Sequence, residues 1–71
     1  GKSRVMDVAL ARQVAMFLSR EITDSSLDTI GKHFGNRDHS TVIHSCKTVE
    51  EKLGQDAHFK KTIKEIKNQL Q

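Results

Sequence analysis

The sequence predicts an all-α fold, a small helical bundle, on three observations. Apolar residues recur three and four apart rather than in alternation, the periodicity of an amphipathic helix and not of a half-buried strand. The chain contains no proline, so no position inside a helix lacks an amide for the hydrogen-bond ladder. Residues that end helices fall instead in short clusters, Thr23-Asp24-Ser25-Ser26, Gly35-Asn36 and Gly54, which divide the chain into four helical stretches. The 71 residues, 35% of them hydrophobic, suffice for a single domain over 1–71 with one modest core. Residues 1–6 read as a flexible basic segment ahead of the first helix.

That first helix is expected from about Asp7 to Ile22, marked by Val8, Leu10, Val14, Phe17 and Leu18 with Ala11 and Ala15 between them. Asp7 is placed to accept a free amide of its first turn. Met6, Met16 and Phe17 read as core. The side chains of Thr23 to Ser26 compete with the backbone for hydrogen bonds, so the helix should break there and another begin, with Ser25 and Asp28 as a capping-box-like pair. Leu27, Ile30 and Phe34 then share one stripe of a short second helix, which Gly35-Asn36 can end because both tolerate a left-handed backbone.

The third helix is expected from about Asp38 to Leu53, with Val42, Cys46, Val49 and Leu53 stacked on its core side. Gly54 would terminate it and Asp56 would cap the last helix, where Phe59, Ile63, Ile66 and Leu70 continue the same rhythm. The other face of that helix holds Lys60, Lys61, Lys64 and Lys67, a solvated face in the simplest reading and a distal DNA or acidic-lipid contact in the sharper one.

Several function classes find no support. No apolar run approaches the roughly 18 residues of a membrane span, and the N-terminus lacks a signal-peptide pattern, so a cytoplasmic location is expected. Cys46 has no cysteine partner and reads as a small core residue. His39 and His44, or His44 and Cys46, are not spaced to put two ligands on one helix face, and His33 and His58 read as surface residues, so no metal is expected. There is no phosphate-binding glycine loop and no arrangement of Ser, His and acid that helix geometry would assemble, so neither an enzyme nor a cofactor site is expected.

What remains is a surface. Lys and Arg number 12 against 9 Asp and Glu, a net charge of +3 that favours a polyanionic partner without demanding one. At about 100° per residue, turning the aliphatic stripe of the third helix inward directs Arg37, Ser40, His44, Lys47 and Thr48 outward. A short helix, a tight turn and then this helix make a helix-turn-helix, and a major groove about 12 Å wide admits one helix and is read best by its first turns. Residues 37–44 are placed for that. A protein-interaction bundle docking through the Arg37 to Thr48 face stays open beside DNA binding, as does another helix-turn-helix regulator such as a repressor. A dimeric repressor would need a second apolar seam, and the last helix uses its one stripe internally, so a monomer is expected. Arg37 and Asp38 also have structural readings, as a turn pair and a cap, and His44 reads equally as a free surface residue or a phosphate contact.

The segment GNRDHSTVIHSC, Gly35 to Cys46, resembles the signature of the C-terminal DNA-binding domain (domain IV) of the bacterial chromosomal replication initiator DnaA. The upstream segment ARQVAMFLSREITDSSLDTIG, Ala11 to Gly31, resembles the same domain, so the similarity covers roughly residues 4–53 without a gap. The resemblance implies recognition of an asymmetric double-stranded origin sequence, the DnaA box of the 5′-TTATCCACA type. Asp38, His39, Ser40 and Thr41 would contact bases or their methyls in the major groove, and Arg4 would enter the adjacent minor groove. The family's phosphate contacts map onto Gln13, Arg20 and the amide or side chain near Ile43; position on the helices adds Ser26, Arg37 and Lys47, with His44 open as above. The family's ATP-binding motor lies in a separate upstream domain, so no nucleotide is expected on these residues. Acidic phospholipid or regulatory proteins would be reached through the parent protein, and its place would be the bacterial nucleoid. The chain departs from the family pattern at residues 5–7, Val-Met-Asp, where more cations are usual, and at Asp28, where proline is frequent.

Overall fold

A computed structural model describes residues 6–71 as four helices in a body measuring 33 × 26 × 21 Å. Helix α1 covers Val8–Ile22 and begins where Asp7 is extended and its Oδ1 accepts the Leu10 amide at 2.8 Å. It ends where both the amide and the hydroxyl of Thr23 donate to the Ser19 carbonyl. The Ser25 amide then donates to Thr23 Oγ1 at 3.1 Å, closing a small turn that leaves Ser26 as the extended residue. Ser26 therefore caps α2, Leu27–His33, its Oγ accepting the Thr29 amide at 3.1 Å. The expected Ser25 and Asp28 capping pair is thus displaced by one position, because a cap must be extended while its side chain reaches the amide three residues on.

The turn after α2 is tight. Phe34 donates its amide to the carbonyls of Ile30 and Gly31, Gly35 and Asn36 follow with φ of 87° and 59°, and the Arg37 amide returns to the Gly31 carbonyl at 2.8 Å. Left-handed backbone at two successive residues costs least in Gly and Asn. The returning chain passes so close that a Cβ on Gly31 would stand 2.0 Å from the Arg37 carbonyl oxygen. Only hydrogen fits there.

Helix α3 covers His39–Gln55, with Asp38 as its cap. It does not stop before Gly54. A helical glycine costs only about 0.5–1 kcal/mol, and the ladder runs on until the Asp56 amide donates to the Lys52 carbonyl at 3.0 Å. Asp56 then also begins α4, Ala57–Leu70, its Oδ1 accepting the Phe59 amide at 3.0 Å, so one residue serves as the whole junction. Lys52 pairs with Asp56 at 3.6 Å and lies 5.2 Å from the centroid of the Phe59 ring.

Helix α3 packs against all three other helices, which explains why Val42 and Val49 are wholly buried. Met16, Phe17, Ile30, Cys46, Phe59 and Ile63 complete the interior with Val14 and Leu18, and Leu53 and Ile66 pack against it while staying partly exposed. Of the expected Met6, Met16 and Phe17 grouping, Met16 and Phe17 lie in this core and Met6 packs against it while staying partly exposed. Two large apolar residues of the sequence pattern lie outside it: Val8 is 75% exposed and Leu70 61%, since each falls in a terminal turn beyond its helix's main packing contacts. Lys67 is drawn off the solvated face of α4 to pair with Glu21 at 3.2 Å, tying that end of the bundle to α1.

Candidate nucleic-acid interface

Burying Val42, Ser45, Cys46 and Val49 fixes the rotation of α3 and leaves its opposite side free. His39, Ser40, Thr41, Ile43, His44 and Lys47 are all exposed, forming an uncovered edge from the first turn to the third. Thr48, expected outward, is half-buried, and Ser45 belongs to the interior. The stripe leans because residues at 42, 45, 46 and 49 face inward together, a wider arc than the aliphatic positions alone define.

The first turn is held by Asp38, whose Oδ1 accepts the Thr41 amide at 2.9 Å. The amide and hydroxyl of Thr41, with His39 alongside, hold the Asp38 carboxyl below its ordinary range, so it is an anion and a pure acceptor at neutral pH. An aspartate in this state can meet an amino group on a base edge while still capping the helix. Next to it stand a small hydroxyl on Ser40 and both a hydroxyl and a methyl on Thr41, side chains short enough for close approach of a groove floor.

Arg37 is placed differently from its neighbours. It precedes the helix, is half-buried in the turn, and its Nε is shut from solvent with no hydrogen-bond partner. A terminal guanidinium nitrogen lies 4.0 Å from the point where Gly35 would carry a Cβ, so the group lies across the turn. The Asp38 partner considered from sequence is not among the ion pairs of the described residues. Of the other sequence-derived positions, Arg20 is exposed in the last turn of α1, Gln13 is half-buried on the same helix, and the Ser26 hydroxyl is already bonded to the amide and hydroxyl of Thr29. Arg4 lies outside the described residues.

One contact at this edge escaped the sequence reading. Asp28, in the first turn of α2, places Oδ1 3.6 Å from Nε2 of His39 and Oδ2 3.3 Å from Nζ of Lys32. The Lys32 pair is an ordinary four-residue helical spacing and was legible in principle. The His39 contact crosses between helices, and no periodicity reveals it.

Elsewhere, a shallow hydroxyl-lined depression of about 350 Å³ lies between α1 and α2, among Ser19, Thr23, Ser25, Thr29 and His33, and an apolar groove of about 380 Å³ runs along Ala15, Leu18, Ile22 and Leu70. Cys46 is reduced and buried. Among the described residues no three His, Cys, Asp or Glu side chains converge as metal ligands would, and no helix is long and apolar enough to cross a membrane.

Comparison with known proteins gives this surface a context. A family model described as the bacterial DnaA protein helix-turn-helix matches residues 1–49. The chain is 49% identical over all its 71 residues to the chromosomal replication initiator protein DnaA of Chlorobaculum tepidum, covering 14% of that protein. It is 54% identical over 67 residues, 94% of its length, to the DnaA of Streptococcus equi subsp. zooepidemicus, covering 15% of it. To the DnaA of Lactobacillus johnsonii it is 46% identical over 71 residues, or 16% of that protein. The chain therefore spans about one-seventh of the curated relatives it matches. With a short helix, a glycine-bearing turn and an uncovered following helix in the matched region, it belongs to the bacterial DnaA helix-turn-helix family.

Proposed function

We propose that this domain binds double-stranded DNA sequence-specifically at replication-origin DnaA boxes, as the recognition part of an initiator whose remaining activities lie in other segments of the longer protein. The observation that carries the reading is the start of α3: an exposed turn bearing a carboxylate, an imidazole and two hydroxyls, held rigid by the Asp38 cap and by the close Gly31 to Arg37 turn. The free amides at that helix start favour an approaching phosphate, and the short side chains let the backbone come near the base edges.

In this reading Asp38, His39, Ser40 and Thr41 read bases in the major groove, and Arg4 reaches the neighbouring minor groove. Arg20, Gln13, Lys47, His44, Ser26 and the Ile43 amide or side chain contact phosphates. Arg37 combines two roles, lying across the turn through its buried Nε while its terminal nitrogens face the strand. The domain acts as a monomer on an asymmetric site, as a binding module and not a catalyst, and it works in the bacterial cytoplasm on the nucleoid.

The test is a mobility-shift titration with box and scrambled duplexes at two salt concentrations. His39→Ala or Thr41→Ala should lose about 1–3 kcal/mol of box binding each while binding to scrambled duplex is retained. Arg20→Ala should weaken both and lower the slope of log affinity against log salt by about 0.9. Equal losses on both duplexes for the His39 and Thr41 variants would refute base reading by this turn.

A further inference from the structure

The contact between Asp28 and His39 joins the beginnings of the two helices of the motif at its exposed rim, and it goes beyond the reading above while resting on His39 as a base contact. The Asp28 carboxylate is engaged on both oxygens, Oδ2 by Lys32 of its own helix and Oδ1 by the imidazole of the next. Lys32 limits where the carboxylate can turn, so the carboxylate in turn limits the imidazole. Both Asp28 and His39 are about 60% exposed, open to a ligand that approaches the start of α3.

We infer that Asp28 is a positioning residue that determines which hydrogen-bonding edge of His39 meets the DNA, and thereby the base preferred at the position His39 reads. A neutral imidazole has one nitrogen that donates and one that accepts, and its surroundings select the tautomer. At 3.6 Å a full negative charge faces Nε2, which favours the tautomer with its proton on Nε2 and leaves Nδ1 as the acceptor. An acceptor offered to the major groove suits a base that presents an amino group there, adenine through N6 or cytosine through N4. Without Asp28, Nε2–H is released and can serve as a donor, which suits guanine O6 or N7 and thymine O4. The charge on Asp38 also acts on His39, but among the described ion pairs the carboxylate that meets a ring nitrogen is that of Asp28, at Nε2.

Because the pair is exposed, the effect on preference is moderate, about two- to fivefold at low salt. The experiment has two arms, each comparing the unsubstituted domain with Asp28→Ala and Asp28→Glu. In the first, long-range proton–nitrogen NMR of the free protein, with the ring neutral, reads the His39 tautomer. The unsubstituted protein should show a bias to the Nε2–H form, Asp28→Ala should lose it, and Asp28→Glu should restore it in part. In the second, competition binding against boxes substituted one base pair at a time should show the Asp28→Ala preference moving from amino-bearing to carbonyl-bearing bases at a single position. An unchanged tautomer in Asp28→Ala, or a uniform change in affinity across all duplexes, overturns the inference and leaves the DNA reading standing. Failure of the unsubstituted domain to prefer the box overturns both.

Discussion

Gly31→Ala and Gly54→Ala make the same chemical change inside two helices and are expected to move stability in opposite directions. A Cβ at residue 31 would meet the Arg37 carbonyl oxygen at 2.0 Å, where side-chain carbons do not approach closer than 3.0 Å, so the turn between α2 and α3 must open by at least about 1 Å. Overpacking of this kind costs about 1–3 kcal/mol, and the Arg37 to Gly31 hydrogen bond, 2.8 Å long, lies across the same gap and adds about 1 kcal/mol if it breaks. The helix-propensity gain of alanine returns about 0.5–1 kcal/mol. The net expectation is a loss of about 1–3 kcal/mol. At residue 54 a Cβ meets nothing within 4 Å, so only the propensity gain of about 0.5–1 kcal/mol remains. For a domain of this size each kcal/mol moves the melting temperature by about 4–8 °C, well within the reach of thermal unfolding followed by circular dichroism. A Gly31→Ala variant as stable as the unsubstituted protein would show that the turn is not held at this separation, and the rigidity claimed for the start of α3 would fail with it.

Other consequences are simpler. Asp38 and Asp56 both have carboxyls held below the ordinary 3.8, chiefly by the amides they cap, so the unfolded chain binds protons more readily than the folded one. Their stabilisation is fully present above the unfolded value and is lost as pH falls through the folded values; melting temperature should thus drop below about pH 4, less so in Asp56→Asn, and identical acid slopes for the two proteins would remove the cap from the explanation. Phe59 is 2% exposed at the junction of α3 and α4, so Phe59→Ala should cost about 3–5 kcal/mol. That is a large share of the stability of a 71-residue chain, about 4–10 kcal/mol, and urea titration should find the variant's midpoint far below that of the unsubstituted protein. A cooperative transition close to that of the unsubstituted protein would contradict the central place given to this ring.

The number of helices, their order and most of their ends were legible in the chain because each depends on residues close in sequence. Asp7, Asp38 and Asp56 cap as expected since a carboxylate three residues before a free amide needs no distant partner. The inward stripe of Val42, Cys46 and Val49 was equally plain, and with it the exposure of Ser40, His44 and Lys47. Local rules failed where two equivalent signals competed, as at Ser25 and Ser26, or where a weak stop met a strong ladder, as at Gly54. What the chain could not disclose lies across helices. Gly31 is required by a carbonyl that returns from beyond the turn, Arg37 is half-covered by that turn, Ser45 is enclosed by its neighbours, and Asp28 reaches His39 from another element. Periodicity specifies which face of a helix is apolar; only the packing of helix against helix decides how far that face is rotated, where its cover ends and which side chains meet at the rim.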